Sequence, residues 1–231
     1  MLWQRYQEIE QSVQRAAQKT GRANEKIKLI AVSKTKPLSM VRELAEHGVP
    51  IFGENKVQEL CEKAAACPDL EWHFIGHLQR NKVRQLLKQR PALIHSLDSQ
   101  RLAAEIEKEA EKQGVEVPVL VEINIGKEAS KSGFFPEEAA AQIKQIAQLC
   151  PHVKIQGLMC VAPAVDKPEE ARPYFQRMAQ LRQEIMERQI PGVKMDELSM
   201  GMTGDFEVAI EEGATMVRVG TAIFGEREYD V

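Results

Sequence analysis

Residues 26–55 read KIKLIAVSKTKPLSMVRELAEHGVPIFGEN. The stretch changes its period twice. A β-type run at 26–34 gives way to a helical run at 38–47, which Gly48 stops, and a second β-type run follows at 50–55. A strand, a helix and a strand in direct succession imply two parallel strands joined by a helical crossover. The same alternation continues along the chain. Strands are predicted at 71–76, 93–98, 117–125, 153–160, 195–199 and 215–220. Helices are predicted between them at 56–66, 81–88, 100–113, 136–149, 168–189 and 204–212. A further helix at 2–19 precedes the series, with Ile9, Val13, Ala16 and Ala17 on one face and Gly21 behind it.

Eight strand–helix units in 231 residues predict a closed (β/α)8 TIM barrel as one domain over 1–231, with residues 1–24 as an N-terminal helix packed on it. The competing architecture is an open doubly wound sheet. That fold usually carries a glycine-rich fingerprint after its first strand. Here the strand runs into Ser33-Lys34-Thr35-Lys36-Pro37, without glycine.

Composition narrows the function classes. Hydrophobic residues make up 43% and charged residues 28%, and the net charge is −3. This is the balance of a soluble globular protein and carries no basic signature of nucleic-acid binding. The most apolar stretch, 117–125, contains Pro118, Glu122 and Asn124 and falls short of the ~20 residues of a membrane span. The first residues, Met1-Leu2-Trp3-Gln4-Arg5, lack the order of a signal peptide. Cys61, Cys67, Cys150 and Cys160 form no Cys-x-x-Cys pair and read as small buried side chains in a reducing compartment. A cytoplasmic location is expected.

A barrel keeps its chemistry at the C-terminal ends of its strands. The residues there are Lys34, Asn55, Gly76-His77, Ser96, Asn124, Met159, Ser199 with Gly201, and Arg218 with Gly220-Thr221. Alternation puts Ile30, Val32 and Lys34 on one face. An amine rising from an apolar core loses proton affinity and becomes a nucleophile. The alternative is a lysine that reaches solvent, as Lys36 does. Ser199, Gly201, Gly220 and Thr221 offer hydroxyls and closely approachable amides after the last two strands, where barrels often hold phosphate. Plain turn chemistry would also explain the glycines. Asp205 and Glu207 open the next helix and would repel an anion from its axis. Arg218 faces the lumen, opposite to Val217 and Val219, and needs an acceptor; Glu54 or Glu122 could pair with it. A metal-dependent hydrolase built on His73 and His77 is disfavoured, because the five histidines form no ligand pattern.

Six blocks together carry a resemblance. They are Ala31-Val32-Ser33-Lys34-Thr35-Lys36-Pro37, Phe52-Gly53-Glu54-Asn55, the run from Trp72 to Lys82, Gly157-Leu158-Met159, Leu198-Ser199-Met200-Gly201-Met202, and Val217 to Gly225. In this order they closely resemble the pyridoxal phosphate homeostasis protein family. The resemblance implies a barrel like the N-terminal domain of alanine racemase. It implies pyridoxal 5′-phosphate (PLP) carried as a Schiff base on Lys34, with the phosphate on Ser199, Gly220 and Thr221. Arg218 would face the pyridine nitrogen, and Asn55 and Met159 would line the ring. The implied role is carriage and homeostasis of PLP without an established reaction, with PLP-dependent apo-enzymes as candidate partners. The alternative is a weak PLP-dependent amino-acid racemase. Such a racemase needs a second base across the ring, which in the resembled enzyme is a tyrosine from a C-terminal β domain. This chain ends at Val231, so that domain is expected to be absent, and Tyr6, Tyr174 and Tyr229 fall at no strand end. Full helical cover of the barrel leads to the expectation of a monomer.

Overall fold

The computed structural model describes residues 1–226. The expected barrel is present. Eight parallel strands close in sequence order: β1 (Lys28–Val32), β2 (Ile51–Glu54), β3 (Glu71–Phe74), β4 (Leu93–Leu97), β5 (Val117–Glu122), β6 (Val153–Met159), β7 (Glu197–Ser199) and β8 (Met216–Val219). The helices are α1 (Leu2–Lys19), α2 (Leu38–Glu46), α3 (Val57–Ala66), α4 (Val83–Leu87), α5 (Gln100–Gln113), α6 (Pro136–Leu149), α7 (Arg172–Glu187), α8 (Phe206–Glu211) and α9 (Thr221–Phe224). No helix among the described residues is long and apolar enough to cross a membrane.

The burial pattern follows the period of two. Ile30, Val32, Ile51, Leu93, Leu120, Met159 and Met216 fill the lumen, with Ile75 against them. Their strand neighbours Leu29, Ala31, Phe52, Trp72, Phe74, Val119, Val121, Val217 and Val219 pack outward under the helices. Both faces of each strand are thus dry, which is why the strands read as continuous apolar runs. The expected split at β8, with Arg218 turned inward and its two valines outward, is what the structure has. α1 buries Tyr6, Val13, Ala16 and Ala17 and packs beside α8, α9 and α2. Arg22, just after it, donates to the carbonyls of Ile210 and Ala214 at 2.7 and 3.0 Å, tying the N-terminal segment to the far end of the barrel.

Several boundaries differ from expectation. β1 ends at Val32, so Lys34 stands in a turn and not in the strand. The turn closes by Lys36 N–H donating to the Ser33 carbonyl at 3.0 Å. Its third residue, Thr35, has φ +64°, a left-handed conformation that a β-branched residue rarely adopts. The helices predicted at 81–88 and 168–189 begin as 3₁₀ turns, Arg80–Lys82 and Pro168–Ala171. The helix α9 was not expected at all.

Candidate functional site

Lys34 is half-buried at the exit of β1. What fixes its turn is a buried cluster behind it. Lys63 on α3 donates to the Ser33 carbonyl at 2.8 Å, to Glu54 at 2.7 Å and to Glu59 at 2.8 Å. The Ser33 hydroxyl donates to Glu54 at 2.6 Å. The Thr35 amide donates to Glu59 at 2.7 Å. Lys63 is 6% exposed and Glu54 is fully buried, so the two charges pair out of water through Glu54 Oε1, while Oε2 has no hydrogen-bond partner among the described residues. Burial still pushes the Glu54 carboxyl up, against the pull of Lys63. The cluster holds both residues flanking Lys34 and supports the unfavourable backbone at Thr35. Lys36 points elsewhere: its ammonium donates to the Glu226 carbonyl at 2.6 Å, on the exposed rim.

The exit of β8 adjoins that of β1, and the exit of β7 adjoins that of β8. β1 and β8 pair with Ala31 opposite Val219. A Cβ on Gly220 would stand 3.3 Å from the Val32 carbonyl oxygen, so the backbone after β8 lies against the end of β1. α9 starts there. Its first internal bonds run from the amides of Ile223 and Phe224 to the Gly220 carbonyl. The amides of Thr221 and Ala222 therefore open the helix without an internal acceptor. Gly201 has φ +91°, and a Cβ there would come within 2.6 Å of Ala209 and 2.9 Å of Phe206. That close approach lets its carbonyl receive the Arg218 amide at 3.0 Å. Asp205 accepts the Met202 amide at 2.6 Å. A carboxylate thus already stands at the start of α8.

Arg218 lies below this rim, 5% exposed. Its guanidinium donates to Ser199 Oγ at 2.5 Å and to the Cys160 carbonyl at 2.8 Å. It forms no ion pair among the described residues. Glu54 is engaged with Lys63 behind the barrel, and Glu122 acts on Arg218 through the field alone. Burial holds the guanidinium below its usual range, with Cys160, Asp205 and Glu122 pulling the other way. Two of its N–H donors are thus placed.

Ser199, a candidate for holding phosphate, is fully buried, and its hydroxyl is bonded to Arg218 and, at 3.0 Å, to His95 Nδ1. Met159 stands in the lumen cluster as the apolar floor. Asn55 follows β2 at the same rim, half-buried, with its backbone against Gly76. Asn124 turns away into its own loop, donating to the carbonyls of Glu128 and Lys131. His73 and His77 do not meet. His73 bonds His95 at 2.8 Å inside the barrel, whereas His77 reaches Asp98 at 3.0 Å on the surface. Tyr6 lies on α1 and Tyr174 on α7, neither at a strand end; Tyr229 is outside the described residues.

Three groups escaped the sequence reading. His95 is one, though it shares parity with Leu93 in β4. Lys63 is another; it falls three residues after Leu60, on the buried face of α3. Glu122 had been considered as a partner for Arg218, but not as a proton carrier. Burial, and then Asp98, raise its carboxyl to about 7, with Arg218 opposing.

Comparison with known proteins agrees with this geometry. A family model described as alanine racemase, N-terminal domain, matches residues 5–228. The chain is 45% identical to the pyridoxal phosphate homeostasis protein of Aquifex aeolicus, over 98% of each chain. It is 43% identical to the protein of that name from Mus musculus, over 87% of this chain and 77% of the other. Among solved structures, PipY of Synechococcus elongatus PCC7942 with PLP bound has a TM-score of 0.79 at 35% identity, covering 93% of this chain and 100% of that one.

Proposed function

Since this chain belongs to the alanine racemase N-terminal domain family, alongside the pyridoxal phosphate homeostasis proteins, we propose that it binds PLP at the C-terminal mouth of the barrel and contributes to PLP homeostasis. The observation that carries this reading is the meeting of a lysine turn and an anion-ready helix start. Gly220, at the head of α9, lies against Val32, two residues before Lys34.

The residues present fit the group. Its phosphate would rest on the backbone at Gly201, Gly220 and Thr221 and on the Thr221 hydroxyl, with Ser199 acting one layer below by holding Arg218. Met159 and Asn55 would line the ring, and Arg218 would donate to the ring nitrogen. When bound, PLP supplies an aldehyde that condenses reversibly with an amine, and a ring that withdraws electrons. Lys34 supplies the amine and holds PLP by a reversible covalent bond. The cluster of Ser33, Glu54, Glu59 and Lys63 keeps that lysine aimed. Arg218, always a donor, favours an unprotonated ring nitrogen and so a weaker electron sink. That suits carriage more than carbanion chemistry. The function is then to sequester a reactive aldehyde and release it to PLP-dependent apo-enzymes. A cytoplasmic monomer fits this role, with helices covering the outside of the barrel.

The test is reactivation of a PLP-dependent apo-enzyme by the loaded protein. The loaded protein should sustain reactivation while keeping free PLP low. Thr221→Ala should weaken PLP retention roughly tenfold with the fold intact, as befits loss of one charge-assisted bond. A wild-type protein that neither retains PLP nor reactivates the enzyme would refute the proposal.

A further inference from the structure

Beneath Arg218 a line of side chains crosses the lumen to the opposite mouth of the barrel. Glu71 Oε1, at the start of β3, is 2.9 Å from His73 Nε2. His73 Nδ1 is 2.8 Å from His95 Nε2. His95 Nδ1 is 3.0 Å from Ser199 Oγ, which accepts from Arg218 at 2.5 Å. His73, His95 and Ser199 are each at most 1% exposed. The Glu71 side chain is 42% exposed and meets water.

With both imidazoles neutral, the protons have one order that satisfies every bond. A carboxylate only accepts, so His73 carries its proton on Nε2. Its Nδ1 then accepts, so His95 carries its proton on Nε2. The His95 Nδ1 accepts in turn, so the Ser199 hydroxyl donates to it. The serine lone pairs are left facing Arg218. Reversing the order requires one added proton at the Glu71 end of the line.

We infer that His73 and His95 are positioning residues for Arg218: the line from Glu71 to Ser199 is a proton-ordered strut that keeps the serine oxygen open to the guanidinium. The inference rests on the PLP reading for what Arg218 serves, but the strut itself does not. One proton added at the Glu71 end of the line reverses the order. His95 then donates to Ser199 Oγ, the serine proton turns away from His95, and two donors compete for one oxygen. Arg218 is held less firmly. The proton count balances, since one enters at that end and none leaves.

The charges around the pair are few. His95 meets His73 from β3 and Arg218 from β8, with Lys28 of β1 acting at longer range. Lys28 is itself paired to Glu197 of β7 at 2.7 Å. Glu71 has Lys28 and Lys26 nearby. Beyond Arg218 stand Asp205 and Glu122. The remaining lumen side chains, such as Ile51, Leu93, Leu120 and Met216, are apolar. Burial, followed by His73 and Arg218, holds His95 well below the ordinary imidazole range, so His95 stays neutral.

The experiment is long-range ¹H–¹⁵N correlation NMR on PLP-free protein labelled at histidine and arginine. At neutral pH both His73 and His95 should show a protonated Nε2 and a bare Nδ1. The Arg218 Nε signal should change whenever that order changes. In Glu71→Gln, whose side chain can accept or donate, the order should relax to a tautomer mixture at neutral pH. The loaded variant should keep its covalent PLP but change the pH profile of its absorbance. A bare Nε2 on either histidine in the wild type would overturn the strut, as would a Glu71→Gln variant whose His95 and Arg218 signals match the wild type. Proton order as described in a protein that traps no PLP would instead sink the PLP reading and leave the strut standing.

Discussion

Glu122 shows how much one buried side chain can govern. It ends β5 on the lumen side, half-buried, two residues after Leu120. Its carboxyl titrates at about 7 in the fold because burial, then Asp98, disfavour the charge. In the unfolded chain it titrates near 4.3. Between these values the fold binds more protons than the unfolded chain. Its contribution to stability therefore falls as pH rises from the ordinary carboxylate range through about 7, and stays low above that. Glu122→Gln removes the charge. Thermal unfolding should show the variant more stable than wild type well above pH 7, with the gap closing near pH 4, where the wild-type carboxyl is protonated in the fold. Equal melting temperatures across that range would contradict the assignment. At this scale sequence reading had mixed success. Arg218 was placed correctly because its apolar neighbours set the parity. His95 lies mid-strand and Lys63 on a helix, so position at a strand end singles out neither. The partners of Ser199, Arg218 and His95, are distant in sequence, so its bonds could not be read there.

Among the elements, the turn between β1 and α2 matters most, and α3 controls it. The sequence made 26–34 a single strand, because alternation continues through Lys34. Two features end the strand early: the 3.0 Å bond that closes the turn from Ser33 to Lys36, and the left-handed Thr35. Neither has a glycine or asparagine to announce it. Both depend on Glu59 and Lys63, one helix further on. α9 was invisible for a related reason. It has four residues, and helices of that length carry no periodicity. The prediction at this scale concerns Lys63→Met. It strips Glu54 and the Ser33 carbonyl of their shared donor and leaves a buried carboxyl unpaired. Chemical denaturation should show a loss of about 3–5 kcal/mol, and PLP retention should fall with it. Adding Glu54→Gln should restore more than half of the lost stability, since no unpaired charge remains. If the single variant lost nothing, the cluster would not be what secures the turn.

The whole molecule was the most legible level. A barrel asks for a repeated pattern, and eight repetitions outweigh errors of two or three residues at any one boundary. The closed order β1 to β8 follows from that rhythm. The site follows from closure, which brings the exit of the first strand beside the exit of the last. Val32, two residues before Lys34, and Gly220 are 188 positions apart in the chain and come together only because β1 pairs with β8. The central claim is that this juxtaposition makes Lys34 the residue that holds PLP, while Lys36, two positions on, is bonded to the Glu226 carbonyl at the rim. Borohydride reduction of the PLP-loaded protein, followed by peptide mass mapping, tests it most directly. The account predicts the reduced label on Lys34, its loss in Lys34→Ala, and its persistence in Lys36→Ala. Label on Lys36, or a wild-type protein that takes none, would contradict it.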